Sequence, residues 1–162
     1  MIRFVCTANQ FRSPMAAACT ARKLRGAGLC AVWTVTSAGT WTKAGLPAQP
    51  KALTAEAALG LDLSAHRTRE VDADLLATAD LTMVMEEGQK EALECEFPTC
   101  RGWIVLLGEL AGRSDPEIPD LANTDFEDSG AIARKIAACI EEGFTGILRR
   151  AELSRSTRRS QK

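Results

Sequence analysis

The chain has 162 residues, of which 46% are hydrophobic and 25% charged, and its net charge is −1. This length and composition are typical of one globular domain, and no apolar run reaches the roughly 18 residues that a membrane-spanning helix needs. A predicted strand begins at residue 2, so we expect no signal peptide and a cytoplasmic location.

Six cysteines are scattered along the chain, and no two of them form a Cys-x-x-Cys pair. They fall in segments with helix or strand patterns rather than in a dense framework, so we expect reduced thiols, as in cytoplasmic proteins. The single histidine excludes a histidine-rich zinc cluster. We expect no metal ion and no cofactor.

The first predicted element is a short apolar strand, residues 2–5, which a polar loop joins to a helix. Ser13 and Pro14 are typical of the N-cap and the first residue of a helix. A strand, loop and helix in this order direct backbone N–H groups and a helix N-terminus toward an anion. Cys6 opens the loop and Arg12 closes it, and the five residues between them are enough to surround one tetrahedral oxyanion.

Cys6 and Arg12 are residue types that phosphoryl transfer can use. A thiol attacks as its thiolate, which a helix N-terminus and a nearby cation favour. An arginine binds two phosphate oxygens with its planar fork and can follow them into the transition state. The alternative interpretation is a buried cysteine at a strand end and a surface arginine, because Cys-x5-Arg also arises by chance. The position between a strand and a Ser-Pro helix start favours the phosphate site.

Further helix and strand patterns alternate along the chain. In order they are helix 14–25, strand 31–37, helices 51–59 and 70–77, strand 81–85, helix 87–96, strand 103–107 and helix 125–150. This alternation predicts a single three-layer α/β domain with a four-stranded parallel sheet, helices on both faces and a flavodoxin-like topology. Ligands of such sheets bind at the carboxyl ends of the strands, where Cys6 would lie.

The end of the chain is basic, since residues 149–162 contain six Arg or Lys side chains and one Glu. We expect residues 151–162 to form a disordered tail, because the segment has few apolar residues. Basic tails can attract nucleic acid, but a solvated terminus is the interpretation that we favour.

The loop resembles the phosphate loop of the low-molecular-weight protein tyrosine phosphatases. That family usually carries Cys-x-Gly-Asn-x-Cys-Arg-Ser-Pro near its first residue, and residues 6–14 here are Cys-Thr-Ala-Asn-Gln-Phe-Arg-Ser-Pro. Ala8 replaces the usual glycine, and Phe11 replaces the second cysteine. The resemblance covers about residues 1–150 and includes a Ser-Ala-Gly-Thr turn at residues 37–40 and a Gly-x-Asp-x-Ser-x-His segment from residue 60.

The resemblance implies that residues 1–150 are a phosphatase domain acting on aryl phosphates, with a phosphotyrosyl protein as its substrate. Cys6 would attack phosphorus to form a thiophosphate intermediate, and an aspartate would protonate the leaving phenolate. The oxyanion would be held by Arg12 and the rest of the loop, which consists of Thr7, Ala8, Asn9, Gln10 and Phe11.

The resemblance also implies supporting contacts around the loop. Ser37 and His66 would hold Asn9, and Ser13 would donate a hydrogen bond to the Cys6 thiolate. An asparagine in a tight loop can adopt a left-handed conformation, which side-chain partners would then fix. Trp41 would be a wall of the cleft and stack on a phosphotyrosyl ring, although ordinary surface packing explains it equally well.

Two aspartates are candidates for the general acid. Asp115 is followed by Pro116, as in the Asp-Pro dipeptide of the family, whereas Asp120 is followed by Leu121. Asp120 matches the family in position, because it lies well beyond the Leu-Leu-Gly that ends the fourth predicted strand and shortly before the last helix. We therefore predict Asp120 as the acid, with Asp115 as the alternative.

Two other functions fit the same residues. A thiol-dependent arsenate reductase on the same fold would need cysteines to relay a disulfide; Cys95 and Cys100 are available, but not where that resemblance expects them. A non-catalytic phosphate-binding protein is suggested by Ala8 and Phe11, whereas the retained cysteine, arginine, serine and aspartate favour an enzyme.

Overall fold

The computed structural model describes residues 1–121 and 129–160. The strands are β1 (Ile2–Cys6), β2 (Val35–Gly39), β3 (Leu81–Val84) and β4 (Ile104–Leu106). They form one parallel sheet in the order β2-β1-β3-β4. The predicted α/β fold with a four-stranded parallel sheet is confirmed.

The helices are α1 (Arg12–Gly26), α2 (Pro50–Ala58), α3 (Ala73–Thr78), α4 (Glu87–Glu96), α5 (Leu107–Leu110) and α6 (Ser129–Ser160), with a 3₁₀ turn at Pro98–Cys100. The short α5 lies where the sequence predicted only a loop. The predicted start of the last helix at residue 125 lies outside the described residues. In the part of the chain that the structure describes, no helix has both the length and the apolar character of a membrane span.

The central strand β1 is buried along its whole length and divides the core into two apolar clusters. Ile2, Phe4 and Cys6 face the cluster that α1, α2 and α6 cover. Val5 faces the opposite cluster, which α3 and α4 cover. The alternation of side chains along a strand therefore accounts for helices on both faces of the sheet.

Strand β2 begins later than the sequence predicted. The residues before it form a turn. The backbone N–H of Leu29 donates to the carbonyl oxygen of Leu24 in α1 at 2.8 Å, and the backbone N–H groups of Val32 and Trp33 donate to the carbonyl oxygen of Leu29, each at 3.0 Å. These local turn hydrogen bonds override the strand preference of valine and tryptophan.

The predicted N-cap at Ser13 is wrong. Helix α1 begins at Arg12, its N-cap residue is Phe11, and no side-chain hydrogen bond caps it. The Ser13 hydroxyl lies one residue inside the helix and bonds to groups of the loop and of β2 instead. Pro14 is consequently the third helical residue, still within the first turn, where a missing N–H costs no helical bond.

The predicted disorder of residues 151–162 is wrong for residues 151–160, because α6 continues to Ser160; residues 161–162 lie outside the described residues. Arginines of this last part stack on core-flanking tryptophans: the Arg155 guanidinium carbon lies 3.8 Å from the centroid of the Trp33 ring, and that of Arg158 lies 4.8 Å from Trp103. Cation–π stacking and the apolar stems of the arginines cover ring surface. Arg155 and Arg158 therefore anchor the helix end against the core.

Removal of the Arg155 side chain is expected to lower the free energy of unfolding by about 1–2 kcal/mol at pH 7, through lost stacking and a lost ion pair. Arg155 Nε and Nη2 donate to Asp80 Oδ2 at 3.2 and 3.1 Å, and the α-ammonium of Met1 binds the same carboxylate. Urea denaturation of Arg155→Ala measures the loss. Arg149→Ala, an exposed arginine of the same helix, is the control and should change little.

The same ion pair makes the effect of Arg155→Ala depend on pH. Burial raises the pKa of Asp80, but hydrogen bonds from the Met1 ammonium and from Arg155 outweigh burial, so the net shift is downward. A carboxylate whose pKa is lowered on folding stabilises the fold above its unfolded pKa and loses that contribution as the pH falls. The difference in free energy of unfolding between Arg155→Ala and wild type should therefore become smaller below about pH 4. An equal loss in the Arg149→Ala control would contradict the role of Arg155.

Candidate active site

The loop between β1 and α1 is the floor of the candidate site. Cys6 is the last residue of β1 and Arg12 is the first of α1, so both lie at the carboxyl edge of the sheet. The buried Cys6 Sγ lies 3.0 Å from Ser13 Oγ. Ser13 Oγ is also 3.2 Å from the carbonyl oxygen of Ala38. The single hydroxyl proton can go to either acceptor, and a thiolate at Cys6 would draw it.

Asn9 fixes the shape of the loop. Its φ angle is 53°, and no other described non-glycine residue has a positive φ. Its side-chain amide donates to Ser13 Oγ and Ser37 Oγ, each at 2.9 Å, and its Oδ1 accepts from the Arg69 backbone N–H at 2.9 Å. The carbonyl oxygen of Asn9 lies 2.7 Å from His66 Nε2. These partners compensate for the cost of a left-handed asparagine, and they include the expected contacts of Ser37 and His66.

His66 supports the loop as a neutral imidazole. Burial lowers its pKa, the hydrogen bond to Asn9 partly offsets this, and the charge of Arg67 lowers the pKa further. At pH 7 the ring is therefore neutral, and Nε2 must carry the proton to donate to a carbonyl oxygen.

The end of strand β2 and the two residues after it also support the loop. The backbone N–H groups of Thr40 and Trp41 donate to the carbonyl oxygens of Cys6 and Thr7 at 2.9 and 3.0 Å. A Cβ atom at Gly39 would lie 2.6 Å from the Thr7 carbonyl oxygen. Glycine at this position is therefore what allows β2 to approach the loop so closely.

The Arg12 guanidinium is 3% exposed and is held by acceptors from two other segments. Nη1 donates to Glu86 Oε2 at 2.6 Å and to the carbonyl oxygen of Ile118 at 2.9 Å. Nη2 forms an ion pair with Asp120. Gln89 joins this network, because its side-chain amide donates both to Glu86 at 3.0 Å and to Thr7 Oγ1 at 3.1 Å.

A cavity of about 40 Å³ opens beside the Cys6 thiol. Its lining residues are Cys6, Ala8, Gln10, Phe11, Arg12, Gln49, Asp120 and Leu121. The structure thus brings the three predicted catalytic side chains together with three of the predicted loop residues. Thr7 and Asn9 have their side chains in the supporting network instead.

The predicted pocket wall at Trp41 is not part of this cavity lining. Trp41 is 81% exposed, and its backbone N–H donates to the loop at Thr7. Stacking of Trp41 on a phosphotyrosyl ring stays a prediction.

The competing aspartate, Asp115, lies elsewhere. It is exposed and accepts a hydrogen bond from Lys135 Nζ at 3.0 Å. The hydrogen bond and the charge of Lys135 lower the pKa of Asp115, and Asp115 is absent from the lining of the cavity beside Cys6, which includes Asp120. Between the two candidates, the geometry favours Asp120.

The sequence analysis missed Glu86, Gln89 and Gln49. Glu86 lies two residues beyond the end of β3, at the carboxyl edge that parallel strands share. The sequence offered this signal, but it does not distinguish Glu86 from Glu87. Within residues 1–121 and 129–160, no three or more His, Cys, Asp or Glu side chains are grouped so that they could hold a metal ion.

The four-stranded parallel sheet and the loop at its carboxyl edge are features of a family of phosphatases. A family model described as low molecular weight phosphotyrosine protein phosphatase matches residues 1–159. The chain therefore belongs to the low molecular weight phosphotyrosine protein phosphatase family, and the resemblance seen in the sequence is confirmed.

Individual relatives agree with the family. A probable low molecular weight protein-tyrosine-phosphatase, EpsP, of Ralstonia nicotianae is 37% identical over 109 residues, which are 67% of this chain and 71% of the relative. A protein-arginine-phosphatase of Geobacillus stearothermophilus is 31% identical over 120 residues, or 74% and 76% of the two chains. The crystal structure of a low molecular weight protein tyrosine phosphatase from T. tengcongensis superposes with a TM-score of 0.78 at 28% identity, covering 87% of this chain and 95% of the other.

Proposed function

We propose that this chain hydrolyses phosphotyrosine in proteins through a phosphocysteine intermediate at Cys6. The observation that carries the proposal is the meeting of the Cys6 thiol, the Arg12 guanidinium and the Asp120 carboxylate in one cavity at the carboxyl edge of the sheet. The names of the relatives support a phosphoprotein substrate.

In the first step the Cys6 thiolate attacks phosphorus. The S–P bond forms while the bond from phosphorus to the phenolic oxygen breaks, and a proton from Asp120 goes to that oxygen. Arg12 and the backbone N–H groups of the loop bind the three other phosphoryl oxygens, whose charge they stabilise in the transition state. The Ser13 hydroxyl, 3.0 Å from Sγ, donates to the thiolate before attack and when it leaves again.

In the second step water hydrolyses the phosphocysteine. The Asp120 carboxylate, now deprotonated, takes a proton from the attacking water, and the S–P bond breaks to release inorganic phosphate and the thiolate. The same carboxyl group is thus acid in one step and base in the next. The cycle needs no oxidant or reductant.

Binding of the substrate requires an exchange of partners at Arg12. A phosphate dianion competes with Asp120 for Nη2, whereas Glu86 keeps its hydrogen bond to Nη1. The exchange orients the guanidinium fork for bidentate binding and lets Asp120 turn toward the leaving oxygen. Glu86 acts as the fixed anchor of Arg12 throughout the cycle.

The proposal includes a phosphate or related oxyanion in the loop, and the cytoplasm as the setting. All six cysteines are free thiols in the structure, which supports a reducing compartment. The proposed catalytic residues lie within residues 1–150, which we infer to be the phosphatase domain, and residues 151–160 extend its last helix.

Arsenate reduction is less well supported. Cys100 lies in the apolar cluster on the opposite face of the sheet from the cluster that contains Cys6. Cys95 is an exposed residue of α4. Neither position favours a disulfide relay that starts at Cys6.

Steady-state assays on four substrates test the proposed function: para-nitrophenyl phosphate, a phosphotyrosyl peptide, a phosphoarginyl peptide and arsenate with added thiol. We expect hydrolysis of the first two, a kcat/KM for phosphotyrosine above that for phosphoarginine, and no arsenate reduction. A higher kcat/KM for the phosphoarginyl peptide would make phosphoarginine the substrate class in place of phosphotyrosine. Phosphate binding without any turnover would support the non-catalytic alternative.

Peroxide is expected to inactivate the enzyme without recovery in thiol. Phe11 stands where the family carries a second loop cysteine, and burial raises the pKa of the Cys19 thiol to about 11, so Cys19 is a poor resolving thiolate. The Cys6 sulfenic acid should therefore proceed to the sulfinic acid. Activity after prolonged peroxide and then dithiothreitol, with mass spectrometry of Cys6, measures this. Phe11→Cys is the matched variant and should recover; full recovery of the wild type would contradict the prediction.

A further inference from the structure

A second cavity, of about 360 Å³, lies behind the phosphate loop. It is an open groove bordered by α1, the edge strand β2 and residues 62–69, and it shares no lining residue with the cavity beside Cys6. Its volume falls in the range of small-molecule sites.

The lining of this second cavity combines an apolar side with two cations. Small alanine side chains of α1, together with Leu63, form the apolar side, while Arg67 and Arg69 form part of the opposite wall. Asp62 also lines the cavity, but its carboxylate accepts the Ser64 backbone N–H at 2.9 Å within its own turn. The remaining chemistry suits a molecule with an anionic head and an apolar body, because guanidinium groups bind carboxylate, phosphate and sulfonate oxygens.

The Arg67 side chain is positioned by its own segment. Its Nη1 donates to the carbonyl oxygens of His66 and Ser64 at 2.6 and 3.2 Å. An anion bound to Arg67 would therefore lie close to the backbone of His66, whose ring contacts the loop at Asn9.

The wall of the second cavity and the phosphate loop are joined by hydrogen bonds at one residue. Asn9 bonds to the Ser37 hydroxyl, the His66 ring and the Arg69 backbone N–H, and all three of these residues line the second cavity. The fourth partner of Asn9 is Ser13, which contacts the Cys6 thiol. These hydrogen bonds provide a route by which a movement of residues 66–69 would reach Asn9, the loop residue with the left-handed backbone.

We propose that the second cavity binds a small organic anion with an apolar body, and that its occupancy changes turnover at Cys6 through Asn9. The regulatory half of this inference rests on the proposed phosphatase function. By linkage, a ligand of the second cavity that changes the affinity of the loop for phosphate has its own affinity changed by phosphate by the same factor.

The binding half is tested with anilinonaphthalene sulfonate as the probe, in the presence of saturating inorganic phosphate, which occupies the loop. We expect fluorescence-detected binding to persist, and the largest amide NMR shifts at Ala17, Ser37 and Arg69. The double substitution Arg67→Gln/Arg69→Gln should weaken the affinity about tenfold, and Ala17→Leu, which fills the cavity, should weaken it as well. Arg149→Gln removes an exposed charge on α6 and is the control.

Three results would overturn the proposed site. They are competition between phosphate and the probe for one site, amide NMR shifts at residues away from the second cavity, and equal probe affinities of the double variant and the control. The coupling half is measured as the effect of the probe on kcat for para-nitrophenyl phosphate, and as the change in phosphate affinity on adding the probe. We expect both to change in the wild type and in Arg149→Gln, and we expect the double variant to need about ten times more probe for the same change. Binding with no change in either quantity would refute the coupling. An inactive protein that still binds the probe at this cavity would refute the phosphatase proposal alone.

Discussion

Cys6→Ser is expected to abolish hydrolysis of a phosphotyrosyl peptide, by roughly 10⁴-fold or more, while inorganic phosphate still binds. A serine hydroxyl is far less ionised than a thiol at neutral pH and cannot replace the thiolate as nucleophile. The oxyanion contacts persist, because Arg12 and the backbone N–H groups of the loop are unchanged. Initial rates on the peptide, with calorimetric titration of phosphate into the same variant, separate the two effects.

Arg12→Ala is the informative partner of Cys6→Ser. It should lose both turnover and phosphate binding, because the guanidinium is the buried cation of the site and Glu86 and Asp120 would then face the anion without it. Arg12→Lys keeps the charge but not the fork, and should recover binding more than turnover. Substantial phosphatase activity in Cys6→Ser would refute the mechanism.

Asp120→Asn is expected to reduce turnover of phosphotyrosine by roughly 10²–10⁴-fold, the usual size of general acid catalysis. An amide cannot donate a proton to the leaving phenolate or take one from water. The loss should shrink with para-nitrophenyl phosphate, whose leaving group needs no proton. Phosphate affinity should not fall, because the substitution removes a competing carboxylate from Arg12.

Asp115→Asn is the matched control for Asp120→Asn. Asp115 is exposed and pairs with Lys135, away from the described cavity lining, so its substitution should change turnover little. The ratio of rates on phosphotyrosine and para-nitrophenyl phosphate should stay that of the wild type. A large loss of turnover in Asp115→Asn with none in Asp120→Asn would make Asp115 the general acid. It would leave the assignment of Cys6 as the nucleophile unchanged.

Regular elements were predictable where local pattern and tertiary packing agree. The predicted helix 87–96 coincides with α4, and the apolar run after Asp80 is β3. Strand β2 was misplaced because Leu29 bonds to the end of α1 while Val32 and Trp33 bond to Leu29, in a turn that does not depend on strand propensity. The helical end of α6 was missed because the disorder prediction depended on the small number of apolar residues in this segment. It did not include the stacking of arginine on tryptophan, which also stabilises the helix end.

Residues of the site were predictable where their chemistry depends on local spacing. The five-residue interval between Cys6 and Arg12 identified the loop, whereas Glu86 could not be told from Glu87 in the sequence. Only the fold shows that Glu86 contacts Arg12 while the backbone N–H of Glu87 bonds to Glu117. Ser13 was misassigned for the same reason, since its hydroxyl has tertiary partners that local capping rules do not include.

The most direct test of the central claim is to trap the phosphorylated enzyme. A phosphotyrosyl peptide with radiolabelled phosphate is mixed with the enzyme and quenched in denaturant within one turnover, and the label is mapped by proteolysis and mass spectrometry. We expect label on Cys6 in the wild type and none in Cys6→Ser. Label on another residue, or rapid turnover during which no labelled protein forms, would contradict a phosphocysteine mechanism.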